Sequence, residues 1–127
     1  MTLMLPDFPL WFLESTVGAV DRTQGAFIFP DDRPSIFTRA VGPEIALVSF
    51  TSHHGAGNFA LRLGVTSVSL AMISSPRELR DLCNRFREHC TLLLIDPDTR
   101  RERGIKLGDV MSTERTDELY ELEFHRS

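Results

Sequence analysis

Two polar clusters contain the residue types that could do chemistry. The first, Ser52-His53-His54-Gly55-Ala56-Gly57, follows the apolar run Ile45–Phe50. An imidazole titrates near neutrality, so adjacent histidines suit a general base or a metal ligand. Gly55-Ala56-Gly57-Asn58-Phe59-Ala60 also matches G-x-G-x-x-[GA]. In that pattern the glycines let the backbone approach a pyrophosphate, and a helix N-terminus favours the anion. The second cluster, Asp96-Pro97-Asp98, comes directly after the apolar run Thr91–Ile95. Two carboxylates at the C-terminal end of a strand suit Mg²⁺ binding or acid–base work. If the two strands run parallel, both clusters lie at one end of the sheet. Ser52, His53, His54, Gly55, Gly57, Asp96 and Asp98 then form one candidate site for a phosphate or nucleotide.

Each cluster also has a plainer structural reading. Thr51 to His54 separate the strand from the first glycine, where the dinucleotide fingerprint leaves almost no gap. The next strand ends in Ser74 and Ser75 instead of an acid, although Arg77 and Arg80 would suit a 2′-phosphate. A metal site needs three or four ligands at recognisable spacing. His89 and His125 stand alone, and the chain has neither H-x-x-x-H nor C-x-x-C. Asp-Pro-Asp is ordinary turn chemistry, and neither Ser49 nor Ser52 sits in a G-x-S-x-G elbow. No catalytic residue, metal or cofactor is assigned.

Composition sets the class. The chain has 127 residues, 42% apolar and 25% charged, as expected of one globular domain spanning residues 1–127. Eighteen acids against 14 bases leave a net charge of −4, which gives no electrostatic footprint for nucleic acid. Arg100, Arg101 and Arg103 read as a solvated loop. No apolar run approaches the roughly 20 residues that span a bilayer. The start, MTLMLPDFPLWFLE, contains Asp7 and Glu14 and lacks a basic segment, so it reads as structure and not as a targeting signal. Cys83 and Cys90 are two helical turns apart, roughly 10 Å, beyond disulfide reach. They read as buried thiols of a cytoplasmic protein.

The elements that would position these clusters follow from periodicity. Phe8, Trp11, Phe12 and Val17 suggest one face of a short N-terminal helix, with Pro9 in its first turn. Three antiparallel strands are expected at 26–29, 35–41 and 44–50, with a Pro-Asp turn at 30–34. Ala56, Phe59, Ala60 and Leu63 mark a helix capped by Thr51 or Ser52 and stopped by Gly64. A strand at 65–73 and a helix after Ser75-Pro76-Arg77-Glu78, a capping box, lead into the strand 91–95. That helix places Leu79, Leu82, Cys83, Phe86 and Cys90 on one face. The result is β-α-β-α-β with three parallel strands. Ile105–Val110 suggests a short strand, and Tyr120, Leu122 and Phe124 suggest an edge strand near the tail. The fold class is α/β, with α+β the alternative, and a single mixed sheet of five to six strands.

Three pieces resemble the SseB-like domain, a small bacterial α/β module. They are Phe50-Thr51-Ser52 followed by a helix containing Phe59-Ala60 and ending Leu63-Gly64, the helix Ser75–Leu82, and Leu93-Leu94-Ile95-Asp96-Pro97. The family pattern has Asn-Pro-Gly where this chain has Asp96-Pro97-Asp98, and Phe37-Thr38 is a second copy of the Phe-Thr signal. The resemblance implies an accessory or interaction domain with no catalytic residue to transfer. The first expectation is therefore a protein that works through protein–protein contact, with a homodimer among the arrangements. Phe8, Trp11 and Phe12 are its candidate surface. The second expectation is the small-ligand site above.

Overall fold

Alternation of apolar side chains to both faces of one sheet organises the chain. The computed structural model describes residues 6–15, 25–29, 33–64 and 68–112. Seven strands are found among them: β1 (Leu10–Ser15), β2 (Ala26–Ile28), β3 (Ser35–Val41), β4 (Glu44–Phe50), β5 (Ser69–Ile73), β6 (Leu92–Ile95) and β7 (Arg103–Lys106). Three helices accompany them: α1 (His53–Leu63), α2 (Pro76–Phe86) and α3 (Leu107–Met111). The fold is α/β with one mixed sheet. Leu10 and Phe12 of β1, Ile36 of β3, Leu47 of β4 and Leu93 of β6 face α2 and α3. Leu13, Phe37, Val48 and Phe50, their strand neighbours, face α1. A strand covered on both faces has no polar positions to alternate with.

β1 corrects the expected N-terminal helix. A continuous apolar run such as Leu10-Trp11-Phe12-Leu13 satisfies the helical and the strand period alike, so pairing partners decide between them. Here β1 pairs antiparallel with β5 from Leu10↔Ile73 to Glu14↔Ser69. It also meets β4 at Trp11↔Phe50 and Phe12↔Ser49. Beyond Phe12 it leaves β4 and pairs with the start of β3 at Glu14↔Ile36 and Ser15↔Ser35. β3 then takes its place beside β4 from Thr38↔Leu47 onward. Buried hydroxyls near this junction have carbonyl acceptors. Ser35 Oγ donates to Ser15 O and Thr38 Oγ1 to Ala26 O, both at 2.7 Å. Among the described residues no buried side-chain polar atom lacks a partner.

The crossovers carry a second correction. β4 and β6 are parallel neighbours, in register from Ala46↔Leu92 to Ser49↔Ile95. β5 runs the same way as β4, but β1 stands between them, antiparallel to both. The α1 crossover therefore spans β1 on one face, and the α2 crossover returns on the other. Crossing in opposite directions on opposite faces gives both connections the same hand.

β7 pairs antiparallel with β6 and stops at Lys106, where the chain turns into α3. Only Ile105 and Lys106 of the expected strand 105–110 are strand, and the rest is helix, with Leu107 and Val110 buried on it. The expected edge strand at 120–124, the start of the strand at 65–67 and the turn at 30–32 lie outside the described residues. Among the described residues no helix is long and apolar enough to cross a membrane.

Candidate functional site

Because β4 and β6 are parallel and in register, the segments that follow them emerge side by side. The Asp96 amide donates to Ser49 O at 2.9 Å and extends the ladder by one rung. The Asp96 carboxylate then accepts from the Thr51 amide at 2.9 Å and from Thr51 Oγ1 at 2.6 Å. So the residue just before the first cluster, Thr51, holds Asp96 of the second, while Ser52–Gly57 make their hydrogen bonds within α1. Both aspartates have left-handed backbone, with φ 50 at Asp96 and 64 at Asp98. Asp tolerates this conformation better than most residues because its short polar side chain bonds locally. Thr99 Oγ1 donates to Asp96 O at 2.8 Å, and the Asp98 amide donates to Glu102 Oε1 at 2.9 Å, which closes the loop between β6 and β7.

Asp98 has a different partner. Arg39 of β3 donates to both its carboxylate oxygens at 3.1 Å, a two-pronged ion pair. The guanidinium also lies 5.3 Å above the Phe59 ring of α1, a cation–π contact. Asp98 is 53% exposed, so the pair positions the loop more than it stabilises the fold.

The Ser52–Gly57 cluster opens α1, as the helix capped by Thr51 or Ser52 in the sequence reading requires. Ser52 is the N-cap, and its Oγ accepts from the Gly55 amide at 2.9 Å. A Cβ at Gly55 would lie 2.9 Å from that same Oγ, so glycine makes room for the cap. At Gly57 a Cβ would meet nothing within 4 Å. The two glycines therefore have different surroundings, one beside the cap and one in open space. Asn58 Nδ2 donates to His54 Nε2 at 3.0 Å, a bond that a neutral ring protonated at Nδ1 accepts. His53 packs edge-on against Trp11, with centroids 4.9 Å apart and planes at 84°.

Asp96 and Asp98 are acceptors for Thr51 and Arg39, and His53 and His54 have Trp11 and Asn58 as neighbours. Among the described residues no three His, Cys, Asp or Glu side chains come together to hold a metal. Burial, with a smaller contribution at Cys83 from nearby Cys90, pushes the Cys83 thiol up to about 12. Burial alone does the same at Cys90. A cleft of about 330 Å³ lies at the opposite sheet end, bordered by Glu44, Arg87, Thr91, Lys106 and Asp109. It sits at the N-terminal ends of β4 and β6, whereas open α/β sheets bind ligands at the C-terminal ends.

The aromatic N-terminus divides. Phe12 is fully buried and belongs to the core, which corrects its place on a contact surface. Phe8 is half-buried against the α2-side core. Trp11 is half-buried on the α1 side, beside Met72 in register across the β1–β5 pair. Met72 is 52% exposed. Trp11 and Met72 thus form an apolar patch at the sheet margin, with the exposed His53 imidazole beside Trp11. Sequence reading missed Arg39, Met72 and the bonds from Thr51 to Asp96. Their roles depend on partners brought in by the sheet, with no local signal. No protein-family model matches the chain, and no curated protein matches it either.

Proposed function

We propose that the chain is a non-catalytic α/β module of the bacterial cytoplasm that acts by binding protein, either another copy or a different partner. The observation that supports this is how the polar groups are used. Asp96 and Asp98 serve the fold as acceptors, while Trp11, Met72 and the uncharged strand beside them remain at the surface. An interaction role also agrees with the SseB-like resemblance. The cytoplasmic assignment draws on two unbridged, buried thiols.

A thermal-shift screen with ATP, NADP⁺, inorganic phosphate, Mg²⁺ and Zn²⁺ tests the proposal. A ligand that binds the native state raises Tm by mass action. No change with any of them is the expected result. A saturable rise that Asp96→Asn removes would instead assign the sheet end to a small ligand.

A further inference from the structure

We infer that β5 of one molecule pairs antiparallel with β5 of a second copy across a two-fold axis, joining two sheets into one. This rests on the protein-contact reading and supplies its partner and surface.

Among the described residues β2, β5 and β7 each pair with a single strand. An exposed strand edge is a template for another strand, and proteins guard such edges with shortness or charge. β2 is three residues long. β7 reads Arg-Gly-Ile-Lys, with a basic residue at each end. β5 has neither guard: it is five residues, Ser-Leu-Ala-Met-Ile, without a charge.

The same strand is complementary to itself. With the axis at Ala71, Leu70 faces Met72 of the other copy, and Ser69 faces Ile73. No like charges oppose one another, and a cross-strand apolar pair is favourable. Leu70 and Met72 lie on the α1 side with Trp11, opposite Leu13 and Trp11 of β1. Antiparallel pairing about the axis would bring the two Trp11–Met72 patches together. Ala71 and Ile73, on the α2 side, would extend that core layer across the join. A two-fold interface of this kind closes on itself and uses the same patch twice.

Light scattering over a concentration series, with amide hydrogen exchange on the same samples, tests the pairing. The wild-type chain is expected to reach twice its monomer mass, with amides in 69–73 exchanging more slowly as concentration rises. Met72→Lys puts a charge at a 52% exposed position beside the axis and should weaken association by about tenfold or more. The circular-dichroism spectrum of the folded variant should not change. The exchange arm needs no variant, so it stands even if Met72→Lys misfolds. A monomer at every concentration overturns the pairing. So does exchange that ignores concentration at the β5 amides facing away from β1, or a dimer in which those amides exchange as fast as in the monomer. None of these three outcomes touches the broader contact reading, which fails instead on a saturable thermal shift with a small ligand.

Discussion

Asp96 and Asp98 differ by two positions yet do different work. Asp96 joins two strand ends by accepting from the Thr51 amide and hydroxyl. Asp96→Ala removes the acceptor from two exposed donors, which water partly replaces, and should cost about 0.5–1.5 kcal/mol in urea unfolding. Thr51→Val keeps the amide bond, so its cost should be smaller, about 0.5 kcal/mol. The Asp-Pro-Asp turn could be read locally because left-handed aspartates and proline belong in turns. Its partners could not, because Arg39 lies 59 residues from Asp98 and the β3–β4 and β4–β6 pairings together bring it there. The thiols give a second residue-level prediction. A native thiol held near 12 by burial should resist a disulfide reagent at pH 8, and both should react after unfolding. The linkage sign follows. The unfolded thiols ionise near their ordinary 9.0 and the folded ones near 12. Their contribution to stability is therefore whole below about pH 9 and is lost as pH rises toward 12, which a series of urea titrations across that range would record.

At the scale of the element, the caps were the most readable feature. Ser75 accepts from the Glu78 amide at 3.2 Å, as the Ser-Pro-x-Glu pattern predicts. The Glu78 carboxylate reaches back one residue further than a standard capping box, to the Ser74 amide and hydroxyl. Ser75→Ala should cost about 1 kcal/mol. Gly64, at φ 70, stops α1 as expected. The α1 glycines separate the two readings of the Gly-x-Gly pattern. Gly57→Ala adds a Cβ into open space within a helix and should raise stability by about 0.5–1 kcal/mol. Gly55→Ala should lower it, because the new methyl crowds the Ser52 cap. A thermal melt of each variant gives the sign. Caps are encoded within four residues, so one chain displays them. The Leu10–Leu13 run is apolar at every position and so carries no period of its own.

At the scale of the molecule, the single mixed sheet and the direction of its β-α-β-α-β strands were readable, because crossover connections constrain direction. The insertion of β1 between β4 and β5 was not. No local pattern states which distant strand will fill a gap. Its place in the middle changes what an N-terminal truncation would do. Removing residues 1–15 deletes Leu10, Phe12 and Leu13, all fully buried, and strips β5 of its only described partner strand. The shortened chain should lose cooperative thermal unfolding and dispersed amide resonances. A folded, cooperative fragment would mean that β1 is dispensable.

The central position of β1 also bears on synthesis. β1 is the first described strand to be translated, yet its longest ladder joins it to β5, about sixty residues downstream. At about 5–20 residues per second, the nascent Leu-Trp-Phe-Leu segment waits several seconds for that partner. During that interval it is an unsatisfied apolar strand, the kind of segment that holdase chaperones capture and that aggregates when they are scarce. Since its pairings span long sequence separations, folding should also be slow for a chain of this size. Expression yield should therefore respond to chaperone supply and to translation rate more than to the final stability of the native state.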